Sequence, residues 1–188
     1  MEGKKCDWCL GNSLYEDYHD NEWGKPLHDD QKLFEFLVLE SFQAGLSWLT
    51  ILKKRENFRV AFDDFEIDKV SEYSAEKINH LCQDAGIVRN QKKIDAAIQN
   101  AKSVQALQKE YGSFDMFIWK YVDFKPIQSE FLTLDEVPSQ TELSQKISRD
   151  LKQKGFLFLG PTTVYAFMQA IGMTNDHLIH CPVRSLTK

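Results

Sequence analysis

The sequence predicts an all-α fold. Three observations carry that expectation. Apolar residues recur at helical spacing along most of the chain, helix-capping residues and glycines fall at the edges of those stretches, and strand-like alternation is weak throughout. In chain order, Asp29 or Asp30 caps a helix carrying Leu33, Phe34, Phe36, Leu37 and Glu40, which Gly45 breaks. Ser47 caps the next, through Trp48, Ile51 and Leu52 to about Phe58. Ser74 or Ala75 begins a helix that stops at Gly86, and Asn90 opens a long one through Ile94, Ile98, Val104 and Leu107. An aromatic segment follows around Phe114, Phe117, Trp119 and Tyr121, and Val122 to Pro138 reads as an irregular connection. Ser139 with Glu142 reads as a capping box for a helix running to Lys154. Gly155 ends that helix, Phe156 to Gly160 forms a tight hairpin, and Pro161 starts a helix to about Ala170.

The 188 residues, 43% of them hydrophobic, suffice for one filled core, so a single domain over 1–188 is expected. No apolar run approaches the roughly 20 residues that cross a bilayer, and the start lacks the apolar stretch of a signal peptide. A cytoplasmic monomer without membrane contact is therefore expected. Four cysteines in a reducing compartment point to metal binding or buried thiols rather than disulfides. A formal charge of −5 argues against indiscriminate coating of nucleic acid. Local basic clusters remain: Lys53, Lys54, Arg55 and Arg59; Arg89, Lys92 and Lys93; and Arg149, Lys152 and Lys154. Any one of them is more often a solvated helix face than a binding site.

Two helix-turn-helix units stand out, Ile78 to Ile98 turning at Ala85-Gly86-Ile87, and Leu151 to Ala170 turning at Phe158-Leu159-Gly160. In the second, Gly160 allows close backbone approach, and the free N–H groups of the following turn, around Thr162, point outwards. That arrangement suits a phosphate without reading sequence, although αα-corners of this kind are common.

Cys6 and His19 lie near one end of the chain, and His177 and Cys181 near the other. Two thiolates and two imidazoles make a closed tetrahedral site that suits one structural zinc ion and leaves no position for a substrate. Joining the ends closes a very long loop. Cys9 competes with Cys6 for the assignment, and Asp20 and Asp176 neighbour the histidines as candidates to orient them. Cys82 reads as a small core residue.

Glu40 shares the apolar face of Leu33, Phe36 and Leu37, where a carboxylate is either at a frayed end in water or buried for a purpose. Trp48 lies just beyond Gly45. A stacking ring beside a carboxylate acceptor is a natural receptor for a flat, cationic, amino-bearing heterocycle. Between them, Gln43-Ala44-Gly45-Leu46 sets a small apolar residue on a tight turn, suited to wedging into a base stack.

These residues resemble those of the bacterial DNA-3-methyladenine glycosylase I family. The resemblance lies in Tyr15 with Tyr18 to Gly24, Leu33 to Glu35, Leu39-Glu40 with Gln43 to Trp48, Leu52 to Asn57, Gln83 to Ile87, Tyr165 to Ala170 and Asn175 to His177. It spans nearly the whole chain. It implies an all-α member of the helix-hairpin-helix glycosylase superfamily, with the hairpin unit at about 145–170 and one zinc joining the ends 1–24 and 172–184. It places the ligands on Cys6 (rather than Cys9), His19, His177 and Cys181, the base pocket on Trp8, Tyr15, Tyr18, Glu40 and Trp48, and the DNA wedge on Leu46 with Gln43. Phe42 stands where related sequences can carry glutamine.

The implied activity is base excision repair of double-stranded DNA containing alkylated adenine. The nucleotide is flipped, Trp8 and Trp48 sandwich the base, Glu40 accepts from its amino edge as the catalytic carboxylate, and Tyr18 adds a hydrogen bond. Water then attacks the sugar and an abasic site is left. No lysine is placed for a Schiff base, so strand cleavage is not expected. A zinc-stapled binding module without activity would instead have the Glu40 pocket filled by core side chains. A zinc hydrolase would need an open coordination position, which four Cys/His ligands do not leave.

Overall fold

The computed structural model describes residues 4–186, so the first three and last two positions of the expected 1–188 domain lie outside the described residues. Nine α-helices make up most of it: α1 (Ser13–Asn21), α2 (Asp30–Gln43), α3 (Trp48–Ala61), α4 (Ile67–Ser71), α5 (Ala75–Gln83), α6 (Gln91–Tyr111), α7 (Phe114–Trp119), α8 (Glu142–Gln153) and α9 (Pro161–Ala170). Among the described residues no helix is long and apolar enough to cross a membrane.

Helix starts follow local chemistry. Asp29, Ser47, Ser74 and Asn90 each accept a backbone N–H at the head of their helix, and Pro161 takes the first position of α9, where its missing N–H costs nothing. One cap differs from expectation. Thr141 with Ser144, not Ser139 with Glu142, forms the capping box of α8, because the helix starts at Glu142 itself. Three helices are new: α1, capped by Asn12, the short α4, and α7, which the sequence offers only as an aromatic segment. Each is too short for periodicity alone to announce it.

Helix α2 is the axis of the molecule. Every residue from Leu33 to Phe42 is buried, so this helix is covered on all sides. Helices α3, α6, α7 and α9 pack on it. Phe42 is fully buried and packs edge-on against Phe58 at 4.9 Å, which turns that position away from the surface.

The first cationic cluster is largely spent inside the fold. Buried Arg55 donates to Glu35 at 2.7 Å and to Glu22 at 2.7 and 2.8 Å, Arg59 also reaches Glu35, and Lys54 donates to the Ala85 and Gly86 carbonyls. The second cluster loses Lys93 to burial and the third pairs Lys154 with Glu110, while Lys53, Arg89, Lys92, Arg149 and Lys152 stay exposed.

The ends of the chain meet. Leu27 N–H donates to the Ile171 carbonyl and Gly24 N–H to Gln169. Gly172, at φ +73°, lies so close beneath this crossing that a Cβ would come within 2.3 Å of the Lys25 carbonyl carbon. Gly172→Ala is therefore expected to cost about 3 kcal/mol, as backbone strain and overpacking add; denaturant unfolding measures it. Two short strands, β1 (Ile127–Gln128) and β2 (Thr174–Asn175), pair in parallel with Ile127 opposite Thr174. Among the described residues they are the only strands, and they bring the connection between α7 and α8 against the segment that follows α9.

Candidate active site and metal centre

Six segments surround a cavity of about 350 Å³, within the range of small-ligand sites. Helix α1 and the turn before it contribute Trp8, Tyr15 and Tyr18; α2 contributes Glu40 and Gln43; α3 opens with Trp48. The remaining wall comes from Ala166 and Gln169 on α9, Asp176 after β2, and Leu134 and Val137 of the α7–α8 connection. The cavity is open space, not a site filled by core side chains.

The aromatic rings brace one another edge-on. Trp8 meets Tyr15 at 5.4 Å and 88°, and Trp23 at 5.1 Å and 74°, while Tyr18 leans on Trp48 at 5.5 Å. The Tyr15 hydroxyl accepts from Leu49 N–H at 2.9 Å, so this ring also helps to hold the first turn of α3. Burial, with the Glu40 carboxyl beside it, pushes the Tyr18 hydroxyl well above its ordinary range, so it stays a donor.

Glu40 is buried, not frayed into water. Burial alone pushes its carboxyl up to about 8. Glu40 Oε2 and Trp48 Nε1 are the buried side-chain polar atoms left without a hydrogen-bond partner among the described residues. A buried acceptor and a buried donor in one cavity wall, both unsatisfied, are costly unless a ligand completes them.

Asp176 carries a different signature. Its Oδ1 accepts from Ser129 at 2.6 Å and Thr174 at 2.7 Å, and its Oδ2 accepts from Gln169 at 2.8 Å and from the Tyr165 hydroxyl. With these four donors the carboxylate is saturated. It touches neither histidine, which corrects the expectation that it orients one.

Cys6, His19, His177 and Cys181 come together, all buried, with their ligand atoms within 4.8 Å of one another. His177 Nδ1 lies 3.1 Å from His19 Nε2 and 3.7 Å from Cys181 Sγ, and Cys181 Sγ lies 3.5 Å from His19 Nε2. Donors bound tetrahedrally to one ion at about 2.0–2.3 Å stand about 3.3–3.8 Å apart, so the set fits a single metal. Each ring is fixed from behind. His19 Nδ1–H donates to Asp20 at 2.8 Å, and Asp20 is in turn held by Lys5 at 2.6 Å. His177 Nε2–H donates to the Trp23 carbonyl at 3.1 Å, leaving Nδ1 for the cluster. Cys9 stands apart, its thiol donating to the Cys6 carbonyl. Cys82 is half-buried and packs against the core.

Sequence reasoning missed Trp23, Gln169, Ala166, Leu134 and Val137 in the cavity wall. Gln169 and Ala166 lie in a segment that the resemblance covers without giving them a role. Nothing local marks Leu134 or Val137.

Together these features define a helical protein with an aromatic small-molecule pocket, two buried carboxyls in its wall of which only Glu40 has an unpartnered oxygen, and a separate closed Cys/His cluster. Residues 8–185 match the model of the methyladenine glycosylase family. The chain is 46% identical over 181 residues to the DNA-3-methyladenine glycosylase of Haemophilus influenzae, covering 96% of this chain and 98% of that one. It is 45% identical over 178 residues to DNA-3-methyladenine glycosylase 1 of Escherichia coli, with 95% of each covered. It superposes with a TM-score of 0.93, at 40% identity over 98% of each chain, on the Staphylococcus aureus 3-methyladenine DNA glycosylase I whose structure describes 3-methyladenine recognition. This chain belongs to the methyladenine glycosylase family.

Proposed function

We propose that this protein is a monofunctional DNA glycosylase that flips 3-methyladenine out of alkylated DNA, hydrolyses its N-glycosyl bond and leaves an abasic site. The observation that carries the reading is the pair of unsatisfied polar atoms, Glu40 Oε2 and Trp48 Nε1, buried in one aromatic cavity. A base brings what they lack: an amino edge for the carboxyl, a ring acceptor for the indole N–H, and flat faces for Trp8 and Trp48.

Methylation at N3 makes the nucleotide's base cationic and weakens its bond to deoxyribose. The base departs neutral, so little acid catalysis is needed. Glu40 is the catalytic carboxylate, accepting from the amino group and favouring the cation in a low-dielectric pocket, while Tyr18 donates a further hydrogen bond. Asp176, its oxygens taken up by four protein donors, anchors the wall.

The DNA is double-stranded and bound by a monomeric enzyme. Leu46, exposed on its glycine turn, is the wedge, with Gln43 beside it at the cavity rim. Helices α8 and α9 form the helix-hairpin-helix unit at about 145–170. Gly160 has an ordinary φ of −67° and nothing within 4 Å of an added Cβ, so neither conformation nor internal packing asks for glycine there. Close approach of a DNA backbone does, with exposed Thr162 beside it at the N-terminus of α9. The earlier unit is unlike it: Gly86 is packed against Asn57 and Asp84, and Lys54 occupies its carbonyl.

The metal is one structural zinc ion held by Cys6, His19, His177 and Cys181, joining the two ends of a single domain. Bound there, it supplies cross-linking and no open coordination position. A non-spanning, cytoplasmic repair enzyme follows from these assignments.

Incubation with methylated duplex DNA should release free 3-methyladenine, detected by chromatography, while the strand stays intact until heat or alkali is applied. Among the described residues no lysine lines the cavity, so β-elimination has no amine there to start it. Absence of free base would reject the assignment, and immediate strand breaks would reject the monofunctional mechanism.

A further inference from the structure

Helix α6 begins against local rule. Its first turn contains no acid, and Lys92 and Lys93 stand where the helix dipole disfavours cations. Lys93 is nonetheless buried, and its ammonium leaves its own helix for another. It donates at 2.9 Å to the Phe42 carbonyl and at 2.8 Å to the Ala44 carbonyl, at the C-terminal end of α2. A cation is favoured at that end, and orphan carbonyls there need donors. The residues it grips are the entry to the wedge. Leu46 N–H returns to the Gln43 carbonyl, Ala44 lies at φ −48°, ψ 113° and Gly45 at φ +86°, a type II turn that presents Leu46 to solvent.

Asn100 lies two helical turns further along the same face of α6. It is fully buried, and its amide clamps a single residue of the α8–α9 hairpin: Leu157 N–H donates to Oδ1 at 2.8 Å and Nδ2 donates to the Leu157 carbonyl at 3.1 Å. Ser148 secures the other arm by donating to the Leu159 carbonyl at 2.6 Å. One helix thus carries two buried polar side chains, about 10.5 Å apart along its axis, each bonded to the backbone of a different exposed loop.

We propose that α6 is a spacer in which Lys93 and Asn100 are positioning residues, fixing the Leu46 turn and the Leu157–Gly160 hairpin at the separation that lets both engage one DNA duplex. This rests on the reading that both loops touch DNA. Neither side chain lines the base cavity, so both act on DNA engagement and not on base recognition.

The test measures kcat/KM on methylated duplex DNA, quenching of tryptophan fluorescence by free 3-methyladenine, and thermal unfolding, for Lys93→Met, Asn100→Leu, Leu46→Ala and the pairwise combinations. Lys93→Met and Asn100→Leu should each lower DNA turnover about tenfold or more, as small misplacements of a reacting complex do, with free-base affinity unchanged within about twofold. The Lys93 loss should largely vanish in the Leu46→Ala background, because Lys93 works through that turn, whereas the Asn100 loss should persist there. Losses at Lys93 and Leu46 that simply multiply, or a parallel loss of free-base binding, would overturn the proposal and leave Lys93 a core support. A harmless Leu46→Ala would instead overturn the DNA-contact reading on which the proposal rests, a separate result read from that variant alone. Should Lys93→Met not fold, Lys93→Gln, which keeps one donor, carries the same comparisons.

Discussion

Replacing Glu40 with glutamine is expected to lower release of 3-methyladenine from DNA about a hundredfold or more in kcat/KM, the scale at which removing one preorganised electrostatic group from a water-excluded site acts. Glutamine keeps the shape and one acceptor but cannot become an anion beside a cationic base. The pH profile separates charge from shape. With its carboxyl pushed up to about 8, Glu40 is mostly protonated in the free enzyme at neutral pH. A cationic base favours the ionised form, so its binding releases a proton. Wild-type kcat/KM should therefore rise with pH and level off near the free-enzyme value, while Glu40→Gln should show no such rise. An unchanged rate in the variant would remove Glu40 from the mechanism.

The same residue has a stability signature of opposite direction. Its ordinary value of 4.5 in the unfolded chain lies below about 8 in the folded protein, so between these pH values the folded state holds the extra proton. Stability is fully present below 4.5 and falls as pH rises through about 8, by about 3 kcal/mol at pH 7. Glu40→Gln abolishes that slope and should be the more stable protein at neutral pH. A residue that costs stability while making activity possible is typical of a functional site. Urea unfolding of both proteins from pH 4 to 9 measures it.

Removing the proposed zinc is expected to have the largest effect on the fold. Apparent binding energies of structural zinc are on the order of 10 kcal/mol, more than the whole margin of many domains. The four ligands link residues 6 and 19 to 177 and 181, and Trp8 stands two positions from Cys6 while Trp23 touches both histidine rings. Chelation, or Cys181→Ser, should therefore lower the melting temperature sharply and abolish free-base binding with it, since the N-terminal wall of the pocket loses its anchor. Metal analysis of the purified protein should give one zinc per chain. Retained base binding in a metal-free, folded protein would separate the cluster from the pocket.

Much of the fold is legible because helices are local. The caps Asp29, Ser47, Ser74 and Asn90 and the stops near Gly45 and Gly155 lie where hydrogen bonding and glycine's freedom put them, within a few residues of the chain they govern. Glu40 is legible too, as a carboxyl on an apolar helical face, and so are the four Cys/His residues as a donor set. The capping box of α8 lies at Thr141, two residues beyond the expected Ser139, and only the packed start of the helix decides it.

The cationic clusters show the limit. Lys54, Arg55, Lys93 and Lys154 read alike as surface charge, yet one holds a turn, one bridges Glu22 and buried Glu35, one grips the end of α2 and one pairs with Glu110. Their partners are dozens of positions away. The sequence by itself determined most of the helices and the identity of the pocket's carboxyl, because each depends on residue type and short spacing; it offered Cys6, His19, His177 and Cys181 as donors, and only the fold brings them together. Tertiary structure alone decided that Asp176 is saturated while Glu40 Oε2 is left unpartnered, that Leu134 and Val137 close the cavity, and that α6 holds two loops at once. Solvation and hydrogen bonding of a buried group are set by whichever distant segments surround it, and neighbours in sequence carry no record of them.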